Sequence, residues 1–156
     1  MDINAFFAEL EKLLKQIGLQ TAVQEGREPQ IGVTLRALLP VTENGDMVML
    51  EFMAAPYTED ANVLQIYTTM ITEIGPGFEA LKDALLDWNL TCRLGSFGIF
   101  REGRQFYHKY NYPMPLDVPA DEMALEIFYL IHLIQDAIIE VYSDAVRLSG
   151  KQLRKS

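Results

Sequence analysis

Cys92, His108 and His132 are the side chains of this chain best suited to nucleophilic or proton-shuttling chemistry near neutral pH. Thiol catalysis needs a base within hydrogen-bond reach and a third group that orients it. The spacing of Cys92 and the two histidines matches no known Cys–His signature. Cys92 reads instead as a small core residue at the start of a strand. His108 reads as a structural strand residue, with Phe106 and Tyr110 on its own face at period two. His132 falls at the edge of a long helix's apolar arc. Gly95-Ser96-Phe97-Gly98 is not the G-x-S-x-G of a nucleophile elbow, and it lies within a strand pattern. Gly75-Pro76-Gly77 opens a helix as a phosphate loop would, but carries no lysine and no glycine-rich lead. Asp83 and Asp87, one turn apart, mark a solvated helix face. No cluster of Cys, His and carboxylates has metal-ligand spacing. The expected catalytic, cofactor and metal residues are therefore none. Arg101, Glu102 and Arg104 around Gly103 form a charged turn tip, whose functional alternative is a small anionic docking point.

The elements that would position these residues follow from periodicity. Ile3, Phe6, Phe7, Leu10, Leu13, Leu14 and Ile17 recur at 3- and 4-residue steps. They predict an amphipathic helix capped by Asp2 and stopped by Gly18. The segment QEGREPQ reads as a loop. Ile31, Val33, Leu35, Ala37 and Leu39 alternate as in a strand, and Asn44-Gly45 turns the chain into a second strand, Met47 to Ala55. A third strand spans Val63 to Ile71. Pro76 begins a short helix with Phe78, Leu81, Leu85 and Trp88 as its buried stripe, and Asn89 ends it. Two strands follow, about Thr91 to Phe100 and Arg104 to Tyr112, before Pro113, Pro115 and Pro119 break the ladder. A last helix begins near Pro119 or Ala120 and extends to Ser149.

This order, α-β-β-β-α-β-β-α, predicts a single α+β domain over residues 1–156. An antiparallel sheet should be packed by the N- and C-terminal helices, with Phe6, Leu10, Leu13, Leu81, Leu85, Ile127, Ile131, Ile134 and Ile138 in the core. The last helix is apolar over more than the roughly 100° that a one-sided helix needs. Beyond its core stripe, Ala124, Leu125, Phe128 and Ile139 widen the arc on one side, and Leu133 and Ala137 flank the other. Deep burial across a sheet would explain the surplus, and so would a second chain.

A chain of 156 residues with 49% hydrophobic and 22% charged residues fits one globular domain. No run of about 18 apolar residues predicts a spanning helix, and the N-terminus lacks the basic and apolar regions of a secretory signal. The single cysteine excludes an internal disulfide and fits a reducing compartment, so a cytoplasmic location is expected and Asn89-Leu90-Thr91 is an accidental glycosylation triplet. The net charge of −9 is unevenly placed. Seven acids and no Lys or Arg lie between Asp117 and Val146, while Arg147, Lys151, Arg154 and Lys155 follow. The basic end complements a helix dipole. The acidic stretch argues against nucleic acid.

The element order, together with Asn89, Gly95-Ser96-Phe97 and the strand-turn-strand to Tyr110, resembles the YbjN-domain family of bacterial sensory transduction regulators. The same order is that of the class I type III secretion chaperones, which are small, acidic and usually dimeric. The resemblance implies a chaperone-like fold, a cytoplasmic homodimer and no established catalytic residues. The expected function is a non-catalytic protein-binding module, a chaperone-like or regulatory adaptor that holds another protein or peptide. Phe97, Ile99, Phe128 and Ile139 are its candidate contacts. The alternative is a small-ligand sensor or enzyme with a pocket between sheet and helix. No membrane or nucleic-acid partner and no cofactor are expected.

Overall fold

The computed structural model describes residues 1–24 and 34–150. Helix α1 (Ile3–Gln16) is followed by strands β1 (Thr21–Gln24), β2 (Thr34–Pro40), β3 (Met47–Pro56) and β4 (Ala61–Ile71). Helix α2 (Phe78–Thr91), β5 (Ser96–Phe100), β6 (Gln105–Pro115) and helix α3 (Ala120–Ser149) complete the chain. The expected α+β domain is present, with one antiparallel sheet in the order β1-β2-β3-β4-β6-β5. The sheet has one more strand than expected. Thr21–Gln24 is too short to show a period of its own, and it acquires strand geometry by pairing with Thr34–Ala37. Ile31 and Val33, the expected start of β2, lie outside the described residues, as do Lys151, Arg154 and Lys155.

Local chemistry accounts for the ends of α1 and α3. Asp2 accepts a hydrogen bond from the Asn4 amide at 2.9 Å and so caps α1. Gly150, at φ 67°, closes α3 in the left-handed conformation. Four boundaries in this half of the chain depart from expectation. Pro76 lies in the turn before α2, and Gly77 is the N-cap. Asn89 does not end α2, which runs on to Thr91 with Cys92 as its C-cap. The segment from Thr91 to Gly95 is accordingly no strand. Pro113 and Pro115 do not break β6, which pairs with β4 as far as Ala61↔Pro115. β5 pairs only with Gln105 to Lys109, so from Tyr110 on one side of β6 has no neighbouring strand among the described residues, the setting in which a strand tolerates proline.

The three helices share one face of the sheet. Leu35, Leu50, Phe52, Leu64, Ile66, Phe106 and Met114 point inward at period two and meet Phe6, Leu10, Ile127, Ile131, Ile134 and Ile138, all buried. Leu81 is buried as expected, while Leu13 and Leu85 are half-buried at the margin of the same core. At the other end of α2, the turn before the helix sits on the end of α3. The Gly77 amide donates to Ser149 O at 3.1 Å, and a Cβ at Gly77 would lie 1.7 Å from the Leu148 carbonyl oxygen.

Candidate functional site

Folding brings Cys92 and His108 together, which their separation in sequence did not predict. Cys92 Sγ stands 4.0 Å from His108 Nε2, and both groups approach the Leu94 carbonyl, at 3.3 Å from the thiol and 2.6 Å from the imidazole. A carbonyl only accepts, so Nε2 carries the ring proton and donates it to Leu94. The nitrogen nearest the thiol therefore cannot take the thiol's proton in this tautomer. Burial raises the Cys92 pKa above its ordinary value and lowers that of His108, so both groups rest neutral. The Leu94 hydrogen bond favours protonated His108 but is the smaller influence. His108 Nδ1 and the Oγ1 of its cross-strand neighbour Thr68 are buried with no hydrogen-bond partner among the described residues. The arrangement ties the α2–β5 connection to β6 through the Leu94 carbonyl.

The rest of this connection serves the same tie. The Asn89 side chain donates to Phe97 O at 3.0 Å and accepts from Phe97 N at 2.7 Å, as the backbone of a neighbouring strand would. β5 is an edge strand, and Asn89 occupies the hydrogen-bonding groups of its second residue, Phe97. Gly95, at φ +75°, lies so close to β6 that a Cβ would stand 2.3 Å from the Lys109 carbonyl oxygen. Arg104 is likewise structural. Its guanidinium donates to Ile74 O and Gly75 O at 3.0 and 2.9 Å and lies over the Phe78 ring, which removes it from the expected charged tip.

The four expected partner contacts do not form one surface. Phe97 is buried, its ring stacked 5.8 Å from Phe106 and edge-on to His108, so it belongs to the core. Ile99 is half-buried at the same inner face. Phe128 is half-buried with His132 edge-on at 5.0 Å, and His132 itself is exposed. Ile139 is exposed and lines a shallow groove beside the β2–β3 turn. Period-two and helical patterns assign residues to faces, but they do not say which face is left uncovered.

Three surfaces emerge instead. The first is the outer face of the sheet, over which no element packs among the described residues. Leu38, Met49, Thr69 and Tyr107 form one cross-strand row, and Arg36, Glu51, Tyr67 and Lys109 the next. Met47 and Met49 are 53% and 36% exposed, and Tyr67 stacks on Tyr107 at 4.8 Å. Arg36 and Glu51 form an ion pair at 2.9 Å within it. Burial, with Tyr107 and Glu51 nearby, raises the Tyr67 pKa, so its phenol stays protonated.

The second is a cleft of about 430 Å³ between the end of α2, the α2–β5 connection and α3. Trp88, Phe97 and Val141 supply apolar walls, and Cys92, Arg93, Asp136 and Glu140 polar ones. The third is the outward face of α3, where Leu125, Tyr129 and Leu133 are 44%, 62% and 55% exposed. At its flank the Tyr112 hydroxyl donates to Glu126, and burial together with that carboxylate pushes the Tyr112 pKa up to about 12.

No protein-family model matches the chain, and a search of curated proteins finds no match. Among the described residues no helix is long and apolar enough to cross a membrane, and no group of three or more His, Cys, Asp and Glu could hold a metal ion.

Proposed function

We propose that this protein is a non-catalytic binding module, a chaperone-like or regulatory adaptor that holds another polypeptide against the outer face of its sheet. The observation that carries this reading is the patch made by exposed Met47 and Met49 with half-buried Leu38, beside the Tyr67–Tyr107 stack. Contiguous exposed apolar surface marks a partner site more often than an isolated exposed residue does. Methionine suits a surface that accommodates varied side chains, because its unbranched thioether repacks readily. Tyrosine adds rigid contact area with a polar tip. The neutral Cys92 and His108, both turned on one carbonyl, give no support to a thiol enzyme. Kinship with the YbjN-domain family, and a homodimeric state in the cytoplasm, belong to the same proposal.

Affinity capture with mass spectrometry tests it, using the wild-type chain and the Met49→Glu variant as parallel baits. A polypeptide held by the wild type and lost from the variant is the expected result. Equal recovery on both baits removes the sheet face from the proposal. A turnover activity that disappears in a folded Cys92→Ser variant overturns the non-enzyme reading itself.

A further inference from the structure

We infer that the outward face of α3, continuing into the cleft beside α2, is a second docking surface whose occupant is a basic amphipathic helix of a partner protein. The surface lies on the helical side of the molecule, away from the open sheet face. At 100° per residue from Met123, Leu125, Tyr129 and Leu133 fall at about 200°, 240° and 280°, opposite a core stripe centred near about 20°. They form a column about 12 Å long with the i, i+4, i+8 spacing that a docked helix reads. Leu133 is also a wall of the cleft, so the column leads towards Trp88 and Phe97.

Charge selects the occupant. Glu122 stands before the column, and Asp136 and Glu140 stand beyond it within the same outward sector. None of the three is in an ion pair among the described residues, whereas Asp144 pairs with Arg147 and Glu126 accepts from Tyr112. No Lys or Arg lies between Asp117 and Val146, and among the described residues Arg93 on the opposite wall of the cleft is its one cation. A second copy of this face would set carboxylate against carboxylate. Nucleic acid and an anionic bilayer are repelled for the same reason. A helix with an apolar stripe flanked by Lys and Arg satisfies both the column and the acids.

The test uses three dye-labelled synthetic peptides of about 18 residues, long enough for five helical turns. One has leucines at i, i+4 and i+8 with Lys and Arg at the flanks. The second shuffles the same composition so that the leucines scatter, and the third replaces Lys and Arg by Glu. Fluorescence anisotropy should show the striped basic peptide binding about tenfold more tightly than the shuffled one, with no binding of the acidic one. Tyr129→Ser with Leu133→Asn should weaken it about tenfold. Asp136→Asn with Glu140→Gln should flatten its salt dependence. Met49→Glu, on the open sheet face, should leave it unchanged, which separates this surface from the one proposed above. Amide shifts of the wild-type protein on adding the striped peptide should map to Leu125, Tyr129, Leu133 and the Trp88 indole. Equal binding of the shuffled peptide, no binding of any peptide, loss in Met49→Glu, or shifts confined to the sheet face would each overturn the inference.

Discussion

Replacing Asn89 by alanine removes both hydrogen bonds that close the free edge of β5, at 2.7 and 3.0 Å. Each such bond contributes on the order of 0.5–1.5 kcal/mol net, so the pair sets a loss of about 1–3 kcal/mol. Asn89 is half-buried, and the Phe97 ring whose strand it holds packs on Phe106 in the core, which favours the upper half of that range. Urea unfolding with a slope of about 2 kcal/mol per molar would then show a midpoint lower by roughly 1 M. Asn89→Asp should lose about as much, because it keeps the acceptor for Phe97 N but turns a carboxylate oxygen toward Phe97 O. Neighbouring Leu90 is exposed, and Leu90→Ala should change stability by no more than about 0.5 kcal/mol. Freed edge groups should also make Asn89→Ala associate at high concentration, visible by light scattering. A wild-type midpoint in both Asn89 variants would refute the edge-clamp argument.

Four further outcomes are expected. Gly77→Ala should destabilise by about 3 kcal/mol or prevent folding, because its Cβ meets the Leu148 carbonyl oxygen at 1.7 Å, and a normal thermal midpoint would contradict that close approach. Trp88→Ala should cost about 2–3 kcal/mol, less than a fully buried tryptophan, since Trp88 is half-buried against Phe97 and Phe106; indole emission fully quenched by iodide would count against its packing. Burial holds the His108 pKa below its ordinary 6.5, so the folded chain takes up this proton less readily than the unfolded chain. The contribution is complete above pH 6.5 and declines as pH falls toward the folded value, by at most about 1.4 kcal/mol per pH unit. His108→Gln should remove that part of the acid slope in urea titrations below about pH 6.5, and an unchanged slope would refute the assignment. A homodimer should keep exposed Asp136, Glu140 and Asp144 at its rim and tighten with salt as repulsion is screened; a monomer at tens of micromolar at every ionic strength removes it.

The residues by themselves determined the α+β class, the antiparallel hairpins and the span of α3. These depend on period-two and 3.6-residue patterns and on local stops such as Gly18 and Asn44-Gly45, all written in neighbouring residues. The core was legible for the same reason, since Ile127, Ile131, Ile134 and Ile138 share one stripe whatever covers it. What only the tertiary structure decided was long-range. Thr21–Gln24 is a strand because β2 is beside it. Asn89 resembles a helix stop in sequence, yet it is the cap of an edge strand eight residues away. Cys92 and His108 meet because α2 ends where β6 passes, and both side chains turn to the Leu94 carbonyl between them. Phe97 and Leu133 are equally apolar in sequence, and packing alone buried the first and left the second facing outward. Hydrophobicity favours burial but does not name the neighbour that provides it, so the choice of surface passed to the fold.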